Sequence, residues 1–224
     1  MINVTKQFRQ ECVENRRFYV TAICTFADGM QIHMKKGDFY SAGNEIVDSS
    51  DSTDFPLGMA IEKTAVLTLV NDDDRFSDYD FNGARVVIYL NLQLTDRLET
   101  VRRGTFIVSK KPATEQKIRL TLLDYMHLAD IAYSTNITFP CTAGELLRDS
   151  CQSCGIRLGD ARFLNDDYVI KKKPENTTHR AVIGMIASLA GGNARIDEED
   201  YLRIISFNKD FAKITIYDLS LIHI

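Results

Sequence analysis

Hydrophobic residues recur at every second position through the first half of the chain. Phe18, Val20, Ala22, Cys24 and Phe26 alternate with Tyr19, Thr21, Ile23 and Thr25. A period of two puts the first set on one face of a strand. Asp28-Gly29 follows, and then Met30, Ile32 and Met34 alternate again, with His33 on the polar side. Asp-Gly between two such runs predicts a hairpin, because glycine takes the positive φ of a tight turn. Residues 36–58 show no period and carry Ser49-Ser50-Asp51-Ser52 and Phe55-Pro56-Leu57-Gly58. They predict a long loop with one short strand, serving as a contact loop or as a plain surface excursion. Short apolar or β-branched runs resume at residues 65–70, 85–92, 104–110 and 118–123. Short strands at this spacing predict an antiparallel barrel-like or sandwich domain, closed by a brief helix over residues 124–133.

The period changes near Pro140. Thr142-Ala143-Gly144-Glu145 has the T-x-x-E form of a capping box, in which threonine accepts a helix N–H and glutamate reaches back to the cap. Leu146, Leu147, Ser150, Cys151 and Cys154 then recur at helical spacing, and Gly155 predicts the stop. A second helix begins near Thr177 or Thr178, buries Val182, Ile183, Ile186, Leu189 and Ala190, and ends at Gly191-Gly192. A hairpin follows over residues 194–197 and 201–207, and a further strand is predicted over residues 213–217. The fold class is therefore α+β. An antiparallel β-barrel-like domain occupies residues 1–137, and a small α+β domain with two amphipathic helices and a hairpin occupies residues 138–217.

Composition narrows the function classes. The 224 residues hold 45% hydrophobic and 26% charged side chains, an ordinary globular balance that argues against disorder. The formal net charge of −4 lacks the basic excess of a general nucleic-acid binder. No apolar run approaches the ~20 residues of a membrane span, and residues 1–10 lack the apolar core of a secretory signal. Five cysteines, an odd number, fit reduced thiols better than a disulfide scaffold.

Five features invite a chemical reading. Cys151 and Cys154 form a C-x-x-C, but the second Cys/His pair of a zinc site is missing: Cys141 lies ten residues upstream and His179 far downstream. A redox pair belongs at a helix N-terminus, where the dipole lowers the thiol pKa, whereas this pair lies at a helix end. The two thiols are expected to be buried packing residues. A cysteine-protease pairing with His179 lacks an orienting group. Asp72, Asp73, Asp74, Asp78 and Asp80 form an acidic run. Ser77 stands where a calcium loop counted from Asp72 needs glycine, and the closing glutamate is missing, so a solvated turn is expected. Lys171-Lys172-Lys173 is too short for a nucleic-acid patch, and Arg102-Arg103 is expected to be solvated in a turn. His33, His127 and His223 have no clustered partners in the sequence. These readings assign no catalytic residue, no metal ligand and no cofactor.

The strings at residues 67–84 (LTLVNDDDRFSDYDFNGA), 103–108 (RGTFIV), 122–126 (LLDYM), 142–149 (TAGELLRD), 151–155 (CQSCG), 178–192 and 194–197 resemble, in that order and spacing, segments of bacteriophage and prophage tail proteins. The chain is similar over about residues 18–207 to the baseplate-hub or tail-tip family. That family includes the N-terminal region of siphophage tail-associated lysins and of tail endopeptidase-like proteins. The resemblance implies a virion structural protein of the tail, assembled in the bacterial host cytoplasm. It implies a homotrimer forming a ring at the distal end of the tail tube. Its partners would be the distal tail-tube protein and other tail-tip or fibre proteins, with no nucleic-acid specificity. In such proteins catalysis resides in a separate C-terminal module, so this chain is expected not to be an enzyme. The alternative is the non-catalytic N-terminal part of a tail-associated peptidoglycan hydrolase. Residues 218–224 continue no family pattern and read as a truncation or non-native tail.

Overall fold

Alternation at residues 18–26 becomes a strand whose inward residues Ala22 and Cys24 are buried, as is Phe26 just beyond its end. The computed structural model describes residues 4–14, 18–49, 57–94, 96–109 and 116–207. In chain order the elements are α1 (Lys6–Glu14), β1 (Phe18–Thr25), β2 (Gln31–Met34), β3 (Glu45–Val47), β4 (Ala60–Ile61), β5 (Thr64–Val70), β6 (Arg85–Gln93), β7 (Leu98–Val108) and β8 (Lys117–Leu123). They continue with a 3₁₀ helix (Tyr125–Ala129), β9 (Cys141–Thr142), α2 (Ala143–Cys154), β10 (Arg157–Leu158), β11 (Val169–Ile170), α3 (His179–Leu189), β12 (Gly192–Ile196) and β13 (Tyr201–Ser206). The fold class is α+β. The chain divides into two units, Met1–Ile46 with Thr64–Leu123, and Val47–Lys63 with Asp124–Ile224.

The first unit is built on a seven-stranded sheet in the order β2-β1-β6-β7-β8-β5-β3. Its terminal strands are β2 and β3, so the expected barrel does not close. β1 pairs antiparallel with β2 and β6, β7 with β6 and β8, and β5 with β8, and the β1–β2 hairpin turns through Gly29 at φ +87°. Alternate residues of β5, β6 and β8 enter one core, where Leu67, Leu69, Val86, Ile88, Leu120 and Leu122 are fully buried. Phe26 stacks on Tyr79 at 5.2 Å and tilts against Phe81 at 5.5 Å. Arg102-Arg103 is not a solvated turn. Ile88 pairs with Gly104 but Tyr89 pairs with Arg102, which leaves Arg103 as the extra residue of a bulge inside β7. Both arginines are half-buried, and Arg102 donates to Thr105 Oγ1 at 2.6 Å. Sequence periodicity gave no sign of α1. It lays Phe8 and Cys12 against Leu92, Leu94 and Val101.

The second unit has a mixed sheet in the order β10-β13-β12-β4, with α2 and α3 contributing to the same core. Its first strand, β4, directly follows the long aperiodic stretch and pairs in parallel with β12. Two residues were too few to show a period. The unit begins again at Asp124, so the boundary expected near residue 137 falls inside it. The reason is burial: Met126 and Ala129 of the 3₁₀ helix are fully enclosed among Leu146, Leu147, Val182 and Ile186. Tyr133 N donates to Thr177 O at 2.9 Å, which ties the following segment to the start of α3. The capping box forms: Thr142 Oγ1 accepts from Glu145 N at 3.2 Å, and Glu145 accepts from Thr142 N at 2.8 Å. Gly155 closes α2 in the left-handed conformation at φ +69°. Gly192 is the first residue of β12 rather than a helix stop. A Cβ there would lie 1.9 Å from Ile205 O, so the β12–β13 pairing admits no side chain. The strand expected over residues 213–217 and the tail at 218–224 lie outside the described residues.

Candidate functional site

The second unit gathers its charges around two adjacent residues, Glu62 and Lys63, which follow β4. Lys63 is 1% exposed, and its Nζ has no hydrogen-bond partner among the described residues. Burial pushes its ammonium pKa down, and Arg195 adds to that, while Asp48, Glu198 and Asp124 oppose it. Arg195 is held by Asp48 at 3.2 Å and by Glu198 at 2.7 Å. Asp124 caps the 3₁₀ helix by accepting from Met126 N at 3.0 Å, and its backbone N–H donates to Lys63 O at 3.0 Å. Burial pushes the Asp124 carboxyl up to about 7, against the opposing pull of its hydrogen bonds and of Lys63.

Glu62 enters a second group. The 3₁₀ helix places residues three apart on one face, so His127 and Asp130 come together. His127 Nδ1 lies 3.5 Å from Asp130 Oδ2 and 3.6 Å from Glu62 Oε1. Arg180, in the first turn of α3, donates to Glu62 Oε2 at 3.4 Å, to Asp130 Oδ2 at 3.1 Å and to Ala60 O at 3.1 Å. No partner for His127 was visible along the chain, because Glu62 and Arg180 are 65 and 53 positions away from it. The H-x-x-D spacing of His127 and Asp130 was the one local signal.

The sequence-derived candidates fall elsewhere. Cys151 and Cys154 are buried in the second core at the C-terminal end of α2. Burial pushes their thiols up to about 12 and about 11, the opposite of a reactive pair. Cys141 is buried in the same core. His179 is fully buried, accepts from Ser134 N at its Nε2 (3.3 Å) and meets Tyr133 edge-on at 5.0 Å. Burial lowers its pKa, with Asp149 opposing. The acidic run organises its own turn. Asn71 Oδ1 accepts from Phe76 N at 2.9 Å, Asp80 accepts from Asn82 N at 3.1 Å, and Asp74 takes φ +56°. Asp72, Asp73, Asp74, Asp78 and Asp80 are exposed or partly exposed. Lys171, Lys172 and Lys173 are exposed, as is His33. His223 lies outside the described residues. No helix among the described residues is long and apolar enough to cross a membrane.

No protein-family model and no curated protein matches the chain. Among solved structures it is similar to the 43 kDa tail protein of prophage MuSo2 from Shewanella oneidensis, with a TM-score of 0.49 and 13% identity. The match covers 82% of this chain and 52% of that one, so this chain spans about half the length of that protein.

Proposed function

We propose that this chain is a structural protein of a bacteriophage or prophage tail, a homotrimeric ring component of the baseplate hub or tail tip. The observation that carries the reading is the ordered series of tail-protein-like segments from residue 67 to residue 197. Those segments fall on elements that build both units: β5 and its following turn, the end of β7, the β8-to-3₁₀ corner, α2, α3 and β12. The role is mechanical. Strand edges and loops make heterologous contacts that close into a ring around the tube axis. Among the described residues β2 and β3 are the edge strands of the large sheet, and such edges suit these contacts.

The chain itself carries no catalysis in this reading. The thiols that sequence motifs single out, Cys151 and Cys154, are packed in a core with raised pKa values, which suits packing rather than nucleophilic attack. Sedimentation equilibrium of the full chain tests the assembly, with a trimer expected. Immunogold labelling of tails released from an induced lysogen tests the location, with label expected at the distal end. Monomer at every concentration together with unlabelled tails would sink the reading.

A further inference from the structure

Glu62, His127 and Asp130 each offer one ligand atom, and these atoms all lie within 4.8 Å of one another. The imidazole nitrogen is 3.6 Å and 3.5 Å from the two carboxylate oxygens. That is too long for a hydrogen bond. A tetrahedral zinc-class ion with bonds of about 2.0–2.1 Å keeps its ligands about 3.3 Å apart, so the two imidazole–carboxylate distances need close by only a few tenths of an ångström. A second observation points the same way. Glu62 Oε1 is shut off from solvent and has no hydrogen-bond partner among the described residues, while its sister oxygen is engaged by Arg180. A desolvated carboxylate oxygen without a donor is costly, and a cation facing it removes the cost.

We propose that Glu62 Oε1, His127 Nδ1 and Asp130 Oδ2 bind one divalent transition-metal ion of the zinc class. The imidazole selects such an ion over calcium or magnesium, which take oxygen ligands in larger number. Arg180 donates to Glu62 Oε2 and to both oxygens of Asp130, and so orients the two carboxylates, as outer-shell groups do around metal ligands. Before the ion binds, two carboxylates face one guanidinium, a formal balance of −1. The ion joins the segment after β4 to the 3₁₀ helix, with 65 positions between Glu62 and His127. Three protein ligands leave a fourth position for water. The site stands apart from the tail assignment and does not depend on it.

The test is titration of the chelator-stripped full chain with Zn²⁺ by calorimetry, and with Co²⁺ by visible absorption. One equivalent is expected, with cobalt ligand-field bands and no thiolate charge-transfer band. His127→Gln, at a half-exposed side chain, is expected to weaken binding by more than about tenfold. Asp130→Asn should do the same, and His33→Gln should leave binding unchanged. Zn²⁺ should raise the melting temperature of the parent chain but not of His127→Gln, with folding of each variant checked by circular dichroism. Equal affinity in parent and His127→Gln, a thiolate charge-transfer band, or no binding of either metal each overturns the site.

Discussion

In the first unit, buried polar side chains are paired at close range, with Arg103 Nε the exception among the described residues. Asn91 donates to Thr21 Oγ1 at 2.9 Å and accepts from Thr100 at 2.7 Å, and Asp38 takes Arg75 at 2.6 Å. The second unit instead encloses Lys63 Nζ, Asp124 Oδ2, Ser150 Oγ and His179 Nδ1 with no partner among the described residues. A sheet sends every other side chain to one side, so its interior is apolar by construction and its few polar residues meet across neighbouring strands. The second unit is assembled from an excursion at residues 47–63 and from the chain after residue 123, and its interior receives charges from several directions. Burying charge is costly unless it is paired or neutralised, which is why Asp124 is pushed towards its protonated form. The unit that tolerates such groups is also the one that holds the candidate metal ligands.

The largest expected effect is at β12. Gly192→Val should destabilise the second unit by more than about 4 kcal/mol, because the branched side chain has no room against Ile205 O. Urea unfolding followed by circular dichroism, with hydrogen exchange to locate the loss, checks this. A cost under about 1 kcal/mol would contradict the close approach.

Core truncation compares the units directly. Leu67→Ala in the first and Leu147→Ala in the second remove equally buried side chains, and each should cost about 2–5 kcal/mol. Hydrogen exchange should show loss of protection centred on β5 and β8 for Leu67→Ala, and on α2 and α3 for Leu147→Ala. The same pattern for both would mean that the two cores do not report separately.

Asp124 sharpens the electrostatic side. Its carboxyl is held up to about 7 in the fold, against an ordinary 3.8. The folded state therefore keeps a proton that the unfolded chain has lost. The stability tied to this group is full below about pH 4 and is lost as pH rises towards 7. Asp124→Asn retains the oxygen that caps Met126 N and removes the titration. The stability of the parent should fall across that window more steeply than that of the variant, as measured by urea unfolding at a series of pH values. Parallel profiles would refute the assignment.

The smallest effects belong to the helix caps. Thr142→Ala should cost about 1 kcal/mol, because Glu145 N loses its acceptor and the reciprocal box is broken. Thr178→Ala at α3, which has a side-chain cap to Ala181 N but no glutamate return, should cost no more. Thermal melts of the two variants decide the order.

Legibility followed the range of the interaction. The strands of the large sheet were readable because period two is a local signature, and Asp28-Gly29 and Gly155 announced their turn and cap. The Thr142–Glu145 box was readable for the same reason. The pair β4 and β12, the assignment of residues 124–137 to the second unit, and the grouping of His127 with Glu62 and Arg180 were not readable. Each depends on residues dozens of positions apart.

By itself the sequence determined the α+β class, the main strands and helices, the caps and the inward turn of Cys151 and Cys154. Those follow from which side chains leave water along one short element. Only the tertiary structure decided that the large sheet stays open, that an excursion of the first half supplies a strand to the second unit, and that Glu62, His127 and Asp130 come together. Closure and convergence depend on where distant backbones meet, and a linear pattern of polar and apolar residues carries no such distances.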